Sequence, residues 1–216
     1  NFLLCIWSQY LEIKNTQVKH MQALAALYYQ AHHKIFNSLR HLDGLPPLAL
    51  RLYLVPIFWV AGNQKLNNID RTADWFGNSE WGLGLPAPEL LAYLATYTEV
   101  IGAVLLLSGL AVRWIAVPLM VTMIVAAVSV HWDSGWAAIA DSSNEEISSR
   151  LNTAKSVLQE NANYRWITEK GNLVILNNGI EFSITYFIML LALFFSGGGR
   201  YFSVDYWLDN SFRNTN

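Results

Sequence analysis

The chain has 216 residues, a formal net charge of −2, and 53% hydrophobic against only 14% charged residues, with a mean hydropathy of +0.25. That charged fraction lies well below the ~25% of ordinary soluble domains, which points to a membrane protein, and no broad basic face is present to bind nucleic acid. Cys5 is the single cysteine, so no disulfide closes within the chain and thiolate metal motifs that need a second Cys are excluded.

Residues 1–20, NFLLCIWSQYLEIKNTQVKH, lack an initiating Met and the basic flank, apolar run and small-residue cleavage site of a signal peptide. Met21 follows at once, and we read it as the true start, with 1–20 as a non-native or disordered extension. From Met21 onward, Leu24, Leu27, Tyr28, Ala31, Ile35 and Leu39 recur at helical spacing opposite His32, His33 and Lys34. This predicts an amphipathic helix over 21–44 that lies on a membrane surface. The rings of His32 and His33 diverge on such a helix, so a solvated basic face accounts for them.

The sequence GLPPLAL supplies a turn and suits the first helical position of the next element. Four apolar runs follow, at roughly 48–66, 89–108, 113–131 and 175–196, each long enough to cross ~30 Å of hydrocarbon at ~1.5 Å per residue. Pro56 and Pro118 fall inside the first and third runs and kink them. The expected fold is therefore all-α: a four-helix integral membrane bundle over 45–208, with the amphipathic amino-terminal helix before it and a tail at 209–216.

The first connection, containing DWFGNSEWGLGLPAP, is rich in aromatics and turn formers. The second is a tight turn between Gly109 and Arg113. The third, from Trp132 to Val174, is long and acidic. Within it Ser143 and Glu146 have capping-box spacing, and Ile147, Leu151, Ala154 and Leu158 continue one apolar face, which predicts a helix. Lys34, Arg40, Arg113, Arg200 and Arg213 should face the cytoplasm, with both termini inside. Trp75, Trp81, Trp132, Trp136 and Trp166 then fall on the outer side, where we expect the first four to pack into a cap. The run SGGGR at 196–200 follows an apolar helix and reads as helix termination, not as a phosphate loop.

Against this apolar background the charged residues stand out. Glu99 sits near the middle of the second run, ~15 Å below its outer end. A carboxylate there costs about 2.5 to 3.5 kcal/mol on insertion scales, so it needs a partner. Lys65, Arg51, Tyr97 and Tyr53 are candidates for a pair that fixes helix register; alternatively Glu99 is a protonatable group on a proton or quinone path. Glu181, placed about six residues into the fourth run, together with Lys65 and His131 at the outer ends of the first and third, should converge with Glu99 in the outer half of the bundle. Arg51 lies toward the inner end.

His131 is either an interfacial residue ending its helix or a proton donor or metal ligand. With Glu99 and Glu181 it offers one nitrogen and two carboxylates, an incomplete set for copper, so no permanently bound metal is expected. Asn177 and Asn178 either cap the fourth helix or hydrogen-bond a polar head group. The candidate site thus has Glu99 and His131 as the chemical groups and Arg51, Lys65, Asn178 and Glu181 as binding groups, with a quinone as the cofactor its chemistry admits.

In order along the chain, Arg51, AGNQKL at 61–66, Glu99, Gly109 with Arg113, His131 and GGGRYFSVDYWL resemble the DoxX family of small four-helix bacterial membrane proteins over about 45–208. LPPLALRLYLVPIFWVAGNQKL, DWFGNSEWGLGLP, VHWDSGWAAIAD and NNGIEFSITYF resemble its HvfX branch. That resemblance implies an inner-membrane accessory role in making copper-binding, post-translationally modified peptides, beside a soluble iron oxygenase and its partner protein. The more distant thiosulfate:quinone oxidoreductase subunits imply quinone-linked redox chemistry instead. A small transporter is less well matched, since the paired repeats of many transporters are missing.

Overall fold

The computed structural model describes residues 2–213, with side chains described for residues 19–213. It divides into two units, one ending at Gly44 and one comprising Leu45–Asn216. The first is a single helix, α1 (Phe2–Ser38), closed by a 3-10 turn at Arg40–Leu42. Its apolar row of Leu24, Leu27, Tyr28, Ile35 and Leu39 is exposed. The boundary at Met21 falls inside this helix, and the side chains before residue 19 lie outside the described ones.

The second unit contains α2 (Leu45–Asn67), α3 (Ile69–Gly77), α4 (Pro88–Ser108), α5 (Val112–Ala126), α6 (Glu145–Asn161), α7 (Tyr164–Ile167), α8 (Glu181–Ser196) and α9 (Val204–Arg213). Helix α5 continues through a π-helical turn, Ala127–His131, and a 3-10 turn, Trp132–Ser134. Among the described residues no strand forms, and one antiparallel bridge pairs Ile139 with Leu176.

Apolar residues on every face of α2, α4, α5 and α8 leave these helices few ways to bury surface except against each other. They pack in the cyclic order α2, α4, α5, α8 and back to α2. Leu54 and Phe58 of α2, Ala103 and Leu106 of α4, Ala116 and Leu119 of α5, and Leu190 and Leu193 of α8 fill the centre. Close approach of α2 to α4 depends on Gly62: a Cβ there would stand 2.7 Å from Val100 Cγ2 and 3.1 Å from Glu99 Cβ. Helix α4 ends in Gly109, whose φ of +67° suits glycine and turns the chain into α5.

Three stretches are long and apolar enough to cross a membrane: Arg40–Asn67, Pro88–Ser108 and Val112–Ser134. The fourth expected span is shorter than the sequence suggests, because α8 starts at Glu181 and has 16 residues. Residues 175–180 are taken from the helix by pairing with 134–140. The amides of Asn177 and Asn178 donate to Ala138 O, Gly179 to Ala137 O, Ile180 to Gly135 O, and Ala140 to Ile175 O. Glu181 is therefore the first residue of α8 and not a residue six positions inside it.

The connections are more ordered than their turn-rich composition implies. In the first, α3 lays Ala73 and Phe76 against Ala92 of α4, with Leu83 and Leu85 packed beside them. The segment after α3 folds back on it: Leu83 N donates to Trp75 O at 2.9 Å and Leu85 N to Phe76 O at 2.7 Å. The tryptophans do not form the expected cap. Trp75 is half-buried against Phe76, whereas Trp81, Trp132, Trp136 and Trp166 are 60–72% exposed, because backbone pairing, not ring packing, orders these loops. In the third connection the helix α6 is present, but Asn144 caps it by accepting from the amides of Glu146 and Ile147. Ser143, the expected cap, instead donates its hydroxyl to Asp141.

Candidate functional site

The candidate site residues fall in three places. The first lies between α2 and α4, where Lys65 Nζ stands 2.6 Å from Glu99 Oε2. Glu99 is 3% exposed, while the Lys65 side chain keeps 26% of its surface open. Of the four candidate partners for Glu99, Lys65 is the one in contact, and it reaches there because Gly62 removes side-chain bulk one turn earlier on the same face of α2. Thr96, one turn before Glu99 on α4, is fully buried, and its hydroxyl has no hydrogen-bond partner. The pair can thus offer an ammonium donor and a carboxylate acceptor within one apolar helix contact, a combination that favours ligands with adjacent oxygen acceptors and donors.

The second place is the junction of α5 with α8. His131 Nδ1 donates to Asn178 O at 2.8 Å. A carbonyl can only accept, so Nδ1 carries the proton, and in the neutral ring Nε2 is the free acceptor. Asn178 holds a φ of +60°, a conformation that asparagine tolerates better than most residues. Glu181 Oε2 accepts from the Ala138 amide at 2.9 Å, and Asn177 Nδ2 donates to Ala137 O at 2.8 Å. Three of these polar groups therefore hold the ends of the third connection together. Among the described residues no hydrogen bond joins this group to Lys65 and Glu99, and no three His, Cys, Asp or Glu side chains gather as metal ligands.

Arg51 belongs to a third place, at the other end of α2. It is fully buried and donates to Leu106 O, Tyr201 O and Phe202 O at 2.9–3.2 Å. Ser203 Oγ donates to Gly109 O at 3.0 Å, and Asp205 accepts from the amides of Ala111 and Val112 at 2.7 and 3.0 Å. A Cβ on Gly109 would stand 2.2 Å from Arg51 Nη1. Arg51 thus ties the carboxy-terminal segment to the turn between α4 and α5, separately from the Lys65–Glu99 pair. Thr96, Ser203 and Asp205 escaped the sequence reading. Ser203 and Asp205 lie in the quoted GGGRYFSVDYWL run, but nothing in their spacing names partners some 94 residues away.

A sequence model of the DoxX family matches residues 47–132, from the first turns of α2 to the turn after α5. The matched stretch contains Arg51, Lys65, Thr96, Glu99, Gly109 and His131, while Asn178, Glu181, Ser203 and Asp205 lie beyond it. A protein of Bacillus subtilis (strain 168) named "Putative oxidoreductase CatD" is 36% identical over 83 residues, which cover 38% of this chain and 58% of the relative. The chain thus spans little more than half the length of that relative. No solved structure gives a significant match.

Proposed function

We propose that the chain is a multi-pass DoxX-family protein of the bacterial inner membrane that serves an oxidation–reduction step, with the Lys65–Glu99 pair receiving the head group of a quinone. The observation that carries this reading is the ion pair itself: a carboxylate 3% exposed, matched by a lysine that is still a quarter open. Ionisable groups inside apolar helices are expensive and commonly mark proton or ligand paths. Lysine can donate to a ring carbonyl, and the carboxylate can take or return a proton as the ring changes redox state. The name of the Bacillus relative supports redox chemistry without naming a substrate.

The membrane domain of this proposal is 45–208, preceded by a surface helix over 21–44, with both termini cytoplasmic. His131, Asn178 and Glu181 order the outer mouth, and Arg51 the inner end. A second reading is an accessory role in maturing copper-binding modified peptides. It is favoured by the third connection, whose two ends are hydrogen-bonded together and so offer an ordered surface for a peptide or protein partner. Binding of a short-tailed 1,4-benzoquinone to the purified chain in lipid nanodiscs separates the two. We expect saturable binding that Glu99→Gln weakens about tenfold, the loss of one charge-assisted hydrogen bond. Absence of binding by the wild-type chain would reject the quinone reading and leave the peptide reading standing.

A further inference from the structure

Among the described residues two helical threonines, Thr96 and the half-buried Thr98, make no hydrogen bond through their hydroxyl, and of the two Thr96 is the fully buried one. Thr72, Thr122, Thr153, Thr168 and Thr185 each donate their hydroxyl to the carbonyl four residues back, at 2.7–3.0 Å. That local bond is the usual way a helical threonine satisfies its hydroxyl. Thr96 is fully buried in α4, yet its Oγ1 makes neither this bond nor any other. An unpaired hydroxyl in an apolar helix contact destabilises the fold, and valine would fill the same volume without that cost.

Its position gives the hydroxyl a use. Thr96 and Glu99 stand three residues apart, so they share one face of α4 on successive turns, ~4.5 Å apart along its axis. That face meets α2 at Gly62, where a Cβ would stand 3.1 Å from Glu99 Cβ, and Lys65 arrives from the next turn of α2. Three groups here keep unused hydrogen-bonding capacity. Lys65 has one carboxylate acceptor for its three N–H bonds, the ion pair engages Oε2 of Glu99 and so leaves Oε1 outside it, and Thr96 Oγ1 can both donate and accept. Together they suit an oxygen that changes from acceptor to donor, which is what a ring carbonyl does when it becomes a hydroxyl.

We infer that Thr96 is a positioning residue of the Lys65–Glu99 site, its hydroxyl hydrogen-bonding the head-group oxygen of a bound quinone or quinol and holding that oxygen beside Glu99. The inference rests on the quinone reading above and adds the residue that orients the ligand. Lys65, the one partly exposed member of the set, marks the side from which the ring enters.

The test uses the full chain in lipid nanodiscs and a short-tailed 1,4-benzoquinone, with Thr96→Val, Thr96→Ser and Glu99→Gln beside the wild type. Affinity and thermal midpoint are measured for each. The expected pattern is a Thr96→Val protein that melts at or above the wild-type temperature but binds about tenfold more weakly, with Thr96→Ser restoring affinity to within about threefold. Wild-type affinity in Thr96→Val, while Glu99→Gln loses it, would overturn the role of Thr96 and keep the quinone reading. A lowered midpoint with equally weak binding in both Thr96 variants would mark the packing of the side chain, not its hydroxyl, as what matters and also overturn it. Failure of the wild-type chain to bind the quinone removes the parent reading itself, and that result is distinct from the other two.

Discussion

Lys65 and Glu99 share one ion pair but do not depend on it equally. Glu99 is 3% exposed and has nowhere else to place its charge, whereas Lys65, 26% exposed, can extend its four-carbon stem toward the interface. Removing the lysine therefore leaves a buried, unpaired carboxylate. Lys65→Met should destabilise the bundle by about 3–5 kcal/mol, the usual cost of orphaning a buried charge, while Glu99→Gln should cost about 1–2 kcal/mol. Thermal unfolding of both variants in one detergent checks the order, and equal losses would mean that the lysine is held as rigidly as the acid. The need for a partner was legible in the sequence because a lone acid interrupts a nearly unbroken apolar run. The identity of the partner was open among four residues, and Arg51 was no clearer. Its partners are backbone carbonyls, one of them 55 and two some 150 residues away, and carbonyls leave no mark in a sequence pattern.

At the scale of elements, α5 is capped from outside its own neighbourhood. Its preceding residue, Ala111, has no side chain for the task, so Asp205 supplies both carboxylate oxygens to the amides of Ala111 and Val112. Asp205→Ala should lower stability by about 1 kcal/mol, within the 0.5–2 range of a lost cap, and Asp205→Asn should recover part of it. Unfolding midpoints of the two variants make the comparison. Local bonds behave differently, as the turn just before α6 shows. The backbone N–H of Ser143, then its hydroxyl, hold Asp141 below its ordinary value of 3.8. A carboxylate whose folded pKa is depressed stabilises its turn above the ordinary value, and that contribution is lost as pH falls through the lowered one. Titration of Asp141 by NMR should show Ser143→Ala returning it toward 3.8. Periodicity located α2, α4, α5 and α6 because each buries or orders one face through contacts repeated every turn. It misplaced the start of α8 because the backbone pairing of 175–180 with 134–140 outcompetes one and a half turns of helix. It also passed over α3, whose Ile69, Ala73 and Phe76 carry helical spacing inside a segment that reads as turns.

For the whole molecule, the shortness of α8 raises the question of whether the chain crosses the bilayer three times or four. Sixteen residues rise ~24 Å, less than the ~30 Å of an average hydrocarbon core. The ends of α8 are nonetheless fixed to opposite ends of α5. At its start, the amide of Glu181 donates to Trp136 O and its carboxylate accepts from Ala138, just past the end of the α5 stretch. Beyond its far end, Phe202 and Ser203 are bound by Arg51 and Gly109 at the turn that opens α5. The stretch Val112–Ser134 is long enough to cross, and we propose that a helix tied to both of its ends crosses with it. In that proposal the non-helical residues on either side of α8 add height: the amides of 177–180 donate to Gly135, Ala137 and Ala138, and Tyr201 O and Phe202 O accept from Arg51, so these groups need no lipid-facing partner. Reporter fusions after Asn161 and after Asn210 should consequently report opposite compartments, the second of them cytoplasmic, as Arg113, Arg200 and Arg213 at that end require under the positive-inside rule. Reports from the same compartment would place α8 on one side of the membrane, leaving three crossings, and would break the link between its termini and the two ends of α5.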